Sequence, residues 1–538
     1  MTARPTRILM IYPRFASDSF WVYTSACEIV GARYPTAPLG MITVAAMLPP
    51  SWEVRLVNRN TEELVEGDLD WADMVFTGGM LFQQADSLRI IEMAHAKGKP
   101  VAVGGPDVSS HAHQYRAADF QILGEAESSI HEFIAAWESG ERQGVFEGPK
   151  FQADVTSTPI PRFDLLKFDH YLYIGVQFSR GCPFTCEFCD IIELYGRVPR
   201  TKTTEQMLAE LDALYRLGYR GHVDFVDDNL IGNKKAVKAF LPHLKTWLDE
   251  HGHPFEFSTE ASLNLADDDE LLHLMSEANF FAVFVGIESP DTETLKQMKK
   301  KQNTRRNIAE SVHRIYAHGI FVTAGFIVGF DSEKGSVAQP MIDLIEEAAV
   351  PISMVGLLYA LSSTQLGRRL KTEGRLHAGH DVQVTGDGDQ CTAGLNFDTL
   401  RPRVEILADY KQVLETVFDP ERFAGRLRRL SAMLDRSNGL REPPKGDIKL
   451  KTGTMETLHK IVNHLPEARE IFWQTFTHCA ATNPKALRFM VAMMAIYLHL
   501  RPFSRKVIDT IDRQIASLHN QRALPPVTAA RETAAASM

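Results

Sequence analysis

The sequence predicts an α/β protein: two successive arrays of alternating strands and helices, followed by a mainly helical region. Two observations carry this. Short apolar runs of strand length recur through residues 1–370, separated by segments of helical spacing, which is the pattern of parallel strands joined by crossover helices. Beyond residue 370 the alternation stops, and helical periodicity continues to about residue 520. A chain of 538 residues has room for about three or four domains, and its 44% hydrophobic content excludes a disordered or fibrous class. The expected division is a first domain at 1–150, a linker at 151–170, a second array at 171–370, a helical domain at 371–520 and a disordered tail at 521–538.

The first array contains the runs Ile8–Tyr12, Val54–Val57, Met74–Thr77, Val101–Val103 and Phe120–Leu123. Three of them end in glycine-rich turns: Gly78-Gly79, Gly104-Gly105-Pro106 and Gly124-Glu125-Ala126-Glu127. Ligands of doubly wound sheets bind outside the carboxyl ends of the strands, where glycine lets the backbone approach closely. Gly78, Gly79, Gly104, Gly105, Gly124 and Glu125 are therefore candidate binding residues. Taken alone, they suit any nucleotide or flavin, or a degenerate domain that binds nothing.

Pro159-Ile160-Pro161-Arg162-Phe163-Asp164 is a proline-punctuated linker. The second array follows with Tyr173–Ser179, His222–Val226, Phe255–Thr259, Ala282–Ile287, Phe321–Val328 and Ile352–Tyr359, giving six strand and helix pairs. One helix opens with Thr203 and Gln206 in capping-box spacing. Polar or glycine-rich clusters close four of the strands: Asp227-Asp228-Asn229, Ser258-Thr259-Glu260, Gly286-Ile287-Glu288-Ser289 and Gly325–Gly329. Asp227 and Asp228 have a second reading as caps of the next helix, and Lys299-Lys300-Lys301 reads as a solvated face.

The sharpest signal is Cys182-x3-Cys186-x2-Cys189, half of the six cysteines within eight positions, just after the first run of this array. Three thiolates so close together point to one metal centre, and three ligands leave a coordination position open. A structural zinc site lacks a fourth ligand nearby, since no histidine lies between His170 and His222. A chance group of buried thiols is the remaining alternative. Cys27, Cys391 and Cys479 are remote in sequence and are not expected to be ligands.

This motif, with Phe188 before the last cysteine, resembles the signature of the radical S-adenosylmethionine (SAM) enzymes. The resemblance implies a partial (β/α)6 barrel over 171–370. It also implies that Cys182, Cys186 and Cys189 hold three irons of a 4Fe-4S cluster, with SAM chelating the fourth iron. One electron from the cluster then cleaves SAM to a 5'-deoxyadenosyl radical, so a one-electron reductant such as a flavodoxin or ferredoxin is an implied partner. Phe188 is expected near the adenine. Asp228, Glu260, Gly286 and Glu288 are expected at the methionyl amine or ribose, where carboxylates accept hydrogen bonds from an ammonium or a diol.

Pro38-Leu39-Gly40, the Gly-Gly turn and the Gly-Glu-x-Glu turn resemble the N-terminal domain of the cobalamin-binding radical SAM subfamily. A Rossmann-like (flavodoxin-like) fold holding cobalamin is implied for 1–150. The Asp-x-His-x-x-Gly pattern that ligates cobalt in many such domains is replaced here by His95-Ala-Lys-Gly98, with Met93 at the Asp position. His95 therefore reads as structural, and no protein histidine is expected on cobalt.

Ser179–Phe184, Val226–Asn229, Thr259–Asn264 and Thr364–Leu366 resemble a subgroup of that family with an extra C-terminal domain. Its implied reaction is methylation of an unactivated carbon of an apolar polycyclic lipid, carbon 2 of a hopanoid. Such a carbon has no lone pair and no acidic proton, so a radical is needed; the cofactors supply it, and no side chain is assigned as acid or base. Two alternatives stay open: another radical SAM reaction, such as oxidative cyclisation or C-methylation of a tetrapyrrole or natural product, and a non-catalytic iron–sulfur sensor.

The net charge of −10 argues against nucleic acid as a partner. Reduced thiols, the lack of a signal-peptide core in the opening residues and the lack of a ~20-residue apolar run point to the cytoplasm. Phe489–Leu498, flanked by Arg488, Arg501, Arg505 and Lys506, reads as a core helix. Its alternative is a surface that touches the bilayer or an apolar substrate, which would place the protein peripherally at the inner face of the membrane.

Overall fold

The apolar runs become two sheets in which every neighbouring pair of strands is parallel. The computed structural model describes residues 4–15, 19–377, 379, 391, 394–434, 444, 446, 447 and 453–523. The Gly- and Asp-rich stretch 380–390 and the tail from residue 524 lie outside the described residues.

The strands of the N-terminal part are β1 (Arg7–Tyr12), β2 (Tyr34–Thr36), β3 (Glu53–Asn58), β4 (Met74–Thr77), β5 (Val101–Gly104), β6 (Phe120–Leu123) and β7 (Gly144–Glu147). All but β2 form a sheet in the order β3-β1-β4-β5-β6-β7. Alternate residues of β1 feed two cores: Leu9 and Ile11 on one face, Ile8 and Met10 on the other. That is why these strands read as continuous apolar runs. β7 carries no such run; it is an edge strand whose Val145 is exposed.

β2 departs from the sequence-based division. It leaves the first sheet and pairs with the first barrel strand, Tyr34 opposite Tyr171 and Thr36 opposite Tyr173. Phe20, Val22, Ala26 and Ile29 share the core of the barrel and the C-terminal helices, so residues 20–36 belong physically to that body.

The barrel strands are β8 (Tyr171–Val176), β11 (Gly221–Phe225), β12 (Phe255–Glu260), β13 (Phe280–Glu288), β14 (Phe321–Val328) and β15 (Ser353–Leu357), with a short antiparallel pair, β9 (Ser179–Arg180) and β10 (Arg200–Thr201), inserted after β8. The sheet order is β15-β14-β13-β12-β11-β8-β2. Residues such as Val223, Phe225, Phe257 and Val285 are buried against the helices, whereas Tyr173, His222, Asp224, Ser258, Phe284 and Thr323 on the inner rows stay partly accessible. The sheet thus curves around a lumen. The helix Thr204–Arg216 opens with the expected capping box between Thr203 and Gln206.

Helices Arg403–Val417, Pro420–Met433, Thr454–His464, Arg469–Thr482 and Leu487–Ala523 form the C-terminal body. The last one closes the amino end of the barrel, with Phe489 stacked on Phe281 at 5.2 Å and Arg488 paired through both terminal nitrogens with Glu256, at 3.1 and 2.6 Å. It is long and apolar enough to cross a membrane (Pro484–Asn520, mean hydropathy 1.2), but 67% of its most apolar window is buried. Met490, Met494 and Tyr497 are fully enclosed. The bilayer-facing alternative for Phe489–Leu498 is corrected: this is a core helix.

Candidate active site

The cysteine loop begins where β9 ends, at the carboxyl end of the barrel. Gly181 adopts φ +95°, and a side chain there would press against the carbonyls of Gly196 and Tyr195 at 3.0 and 3.2 Å. The loop is held from all sides: Cys182 N–H donates to Gly196, Glu187 N–H to Met298 and Leu366 N–H to Glu187. Asp228 accepts from Gly181 N–H at 2.8 Å, and Asp227 accepts from Phe178 N–H at 2.9 Å as well as from the backbone and hydroxyl of Ser179. Neither aspartate caps a helix, which corrects that reading. They pin the chain entering the loop, and burial pushes their carboxyls up to about 7 (Asp227) and about 6 (Asp228).

Burial also pushes the thiols of Cys182 and Cys186 up, and that of Cys189 furthest. Three thiolates are stable in such a place only with cationic charge among them. Among the described residues no three His, Cys, Asp or Glu side chains converge as one metal ion requires. Three thiolate donors on one loop fit a cluster in which each cysteine serves a different iron. Asn229 Nδ2 lies 3.7 Å from Cys182 Sγ and Gln302 Nε2 3.8 Å from Cys186 Sγ, so each can donate to a cluster thiolate.

The predicted glycines meet in a second place. Gly78, Gly79, Gly104, Gly105, Gly124 and Glu125 line a cavity of about 460 Å³ at the carboxyl ends of β4, β5 and β6, with Leu39, Met41 and Val44 beside them and Gln177, Arg180, Tyr195 and Val226 of the barrel opposite. The turns are packed so closely that a methyl group at Gly78, φ +155°, would lie 1.8 Å from the Gly104 carbonyl oxygen. No histidine is among the lining residues. His95 sits at the other end of the sheet, 2.8 Å from Asp119 and lining a separate surface pocket.

Residues 176–345 match the Radical SAM superfamily, and residues 364–513 match a domain of unknown function (DUF4070). An uncharacterized methyltransferase of Synechocystis sp. (strain ATCC 27184 / PCC 6803 / Kazusa) is 41% identical over 98% of this chain and 99% of its own length. The hopanoid C-2 methylase of Rhodopseudomonas palustris (strain TIE-1) is 39% identical over 77% of each chain. The chain belongs to the radical SAM methyltransferases. Its fold is that of the cobalamin-dependent members: the solved structure of the cobalamin-dependent S-adenosylmethionine radical enzyme OxsB, with aqua-cobalamin and S-adenosylmethionine bound, superposes with a TM-score of 0.58 at 15% identity, over 97% of this chain and 82% of that one.

A radical SAM methyltransferase uses a 4Fe-4S cluster and SAM, and the cysteine loop fits the first. The residues expected around SAM lie at the same end of the barrel. Phe188 is half-buried, edge-on to Phe330 at 5.9 Å. Glu260 is exposed on the open lumen side, and desolvation by the surrounding protein, helped by Asp224 and Asp228, pushes its carboxyl up to about 8.

Glu288 follows a register shift in β13 and holds φ +69°, a left-handed conformation that costs about 1–3 kcal/mol for a side chain with Cβ. It is not free to meet a ligand unaided, because its Oε1 lies 2.7 Å from Lys300 Nζ. Lys300 is thereby moved out of the solvated face assigned to Lys299–Lys301. Burial works against its ammonium, but the Glu288 carboxylate and the Cys186 and Cys189 thiolates outweigh it and hold the charge. Gly286 lies beneath the pair, where an added methyl group would sit 2.2 Å from Glu288 Oε1.

Sequence reading thus missed Lys300, Asn229 and Gln302 as groups around the cluster. Only Asn229, in the Asp-Asp-Asn cluster after β11, carried a signal that could have flagged it.

Proposed function

We propose that this radical SAM methyltransferase methylates an unactivated ring carbon of a polycyclic lipid, carbon 2 of a hopanoid, with cobalamin as the methyl carrier. One observation carries the reading: the glycine-lined cavity is bounded on its barrel side by Gln177, Arg180, Tyr195 and Val226, and Arg180 lies two residues before Cys182 of the cysteine loop. When bound, the cluster and SAM supply the radical and cobalamin the methyl group, a division of labour the fold likeness supports.

In this reading the glycine turns would admit a flat macrocycle close to the backbone, and no histidine is among the residues lining the cavity that would hold it. Cys182, Cys186 and Cys189 hold the cluster. Asp227 and Asp228 fix the entry to the loop. Phe188, Asp228, Glu260, Gly286 and Glu288 orient SAM, Glu288 in partnership with Lys300. Tyr173, Trp21 and Phe284 wall the lumen, where Trp21 packs on Phe284 at 5.6 Å. The choice of a hopanoid follows the 39% identical relative. A cytoplasmic site of action is part of the proposal.

The test is expression in a hopanoid-producing host that lacks its own methylase, with lipid extracts analysed by mass spectrometry. A 2-methylhopanoid is expected from the wild type and none from Cys186→Ala. Unmethylated extracts from a host that makes cluster-loaded protein would overturn the substrate and leave the enzyme class standing.

A further inference from the structure

We propose that the lower part of the barrel lumen binds a hydroxyl group, so that the substrate is a polycyclic lipid carrying an alcohol at the end remote from the methylated carbon. The inference rests on the lumen being the substrate site, as proposed above, and it narrows the substrate class.

The inner rows of β8, β11 and β12 carry polar side chains at a depth where no cofactor residue is assigned. In the β11–β12 register His222 stands opposite Glu256, and Asp224 opposite Ser258. Below them the amino end is closed by Phe489 stacked on Phe281 and by Arg488 paired with Glu256. Two residues further along the same rows come Val226, which lines the glycine-rich cavity, and Glu260. At ~3.3 Å per residue, Asp224 and Ser258 therefore lie ~7 Å beneath the cofactor level.

These groups form one hydrogen-bonded layer. The Ser258 hydroxyl donates to Asp224 Oδ1, and Ser258 Oγ lies 2.6 Å from His222 Nε2. Because the Ser258 proton is committed to the carboxylate, His222 Nε2 is the donor of that second bond. Tyr173 packs beside the His222 ring with centroids 4.9 Å apart, and His222 meets Phe281 edge-on at 4.9 Å. Two valences stay open: Asp224 Oδ2 and the Tyr173 hydroxyl make no hydrogen bond among the described residues, and both side chains keep part of their surface accessible. Burial pushes the Asp224 carboxyl up to about 6, so at neutral pH it is mainly an ionised acceptor. Burial, with the Asp224 charge next in weight, pushes the Tyr173 phenol well above its ordinary range, so it keeps its proton.

A carboxylate oxygen beside a phenol is the complement of an alcohol, which donates to Asp224 and accepts from Tyr173. An ammonium has nothing with which to accept. A hydrocarbon offers neither function and would strip water from both groups without replacing it, the case in which a polar site discriminates most. The wall above the layer suits a ring skeleton. Phe284 pairs with Glu260 in the β12–β13 register and packs on Trp21 at 5.6 Å. The alcohol thus points down the lumen, and the skeleton rises past Phe284 toward the cofactor cavity.

The test uses full-length protein loaded with cluster and cobalamin, assayed anaerobically with two probes in detergent micelles: a hopane hydrocarbon and the same skeleton bearing a side-chain alcohol. Mass spectrometry measures methylated product, and retention of radiolabelled probe on gel filtration measures binding without turnover. The alcohol is expected to exceed the hydrocarbon about 100-fold or more in kcat/KM and to be retained preferentially. Tyr173→Phe and Asp224→Ala should each lower that ratio about tenfold or more, chiefly by raising KM for the alcohol. A merely structural role would lower both probes alike and leave the ratio unchanged. Equal use of the two probes by the wild type, or an unchanged ratio in both variants, overturns the proposal. If neither probe is methylated, the hopanoid reading has failed instead, and retention decides the alcohol site by itself. Preferential retention that Tyr173→Phe abolishes upholds the site, and equal retention of the two probes overturns it.

Discussion

Removing the charge of Lys300 tests the innermost feature of the site. Its Nζ lies 2.7 Å from Glu288 Oε1, and the two side chains are only 10% and 9% exposed. Lys300→Met leaves the Glu288 carboxylate enclosed without its counter-charge, which is expected to cost the cluster-free protein about 3–5 kcal/mol. Glu288→Gln/Lys300→Met removes both charges and should cost less than Lys300→Met alone, because paired burial of charge is a small net gain. The coupling in the double-mutant cycle is therefore expected at about 2 kcal/mol or more. Urea unfolding of the cluster-free variants, followed by circular dichroism, measures it. Additive effects with Lys300→Met under about 1 kcal/mol, as for a surface lysine, would refute the buried pair and restore the solvated-face reading.

Met494→Asp places a carboxylate among fully buried residues of the last helix; a loss of at least about 3 kcal/mol and poor solubility are expected, and a soluble variant of unchanged melting temperature would return that helix to the surface. Gly78→Ala adds a methyl group 1.8 Å from the Gly104 carbonyl, so the turn must move; cobalamin absorbance retained by the purified variant at wild-type stoichiometry would show that this turn does not shape the cofactor site. The lumen carboxyls also predict a pH dependence. Burial pushes Asp224 up to about 6 and Glu260 up to about 8, so between the ordinary carboxylate range and those values the folded state holds protons that the unfolded chain has lost, and stability falls as pH rises. Asp224→Asn/Glu260→Gln should flatten the melting temperature of the cluster-free protein between pH 5 and 8 relative to wild type; parallel profiles would show that these carboxyls ionise freely.

The fold was legible because parallel strands buried on both faces must be apolar throughout. The five N-terminal runs became strands for that reason; the six barrel runs did so with one row buried under the helices and the other facing the lumen, and Phe321–Val328 coincides with β14. What was illegible lacks that signature. β2 is three residues long, and its partner Tyr171 lies more than a hundred positions away, so nothing local tells Tyr34–Thr36 which sheet to join. β7 is an exposed edge with little apolar content.

The site divides along similar lines. Cysteines and glycines advertise themselves, because few other roles demand three thiols in eight positions or glycine at successive strand ends. Lysine does not, and in Lys299-Lys300-Lys301 the middle residue turns inward to the strained Glu288, next to a left-handed Lys299 with φ +63°. Arg180 makes the same point at longer range. In sequence it is one residue of Ser-Arg-Gly before the cysteines. In space it reaches Glu127 at 2.8 Å and Glu125 at 3.2 Å, on the third glycine turn, while Arg200 holds Glu125 from the other side. Although burial opposes ionisation, the Arg180 bonds hold the Glu127 carboxyl below its usual range, so the contact is a charged one at neutral pH. The glutamates of the Gly-Glu-x-Glu turn therefore join the first sheet to the residue that leads into the cysteine loop. A shift of either body is felt directly at the other, which is what a reaction shared between two cofactor sites requires of its scaffold.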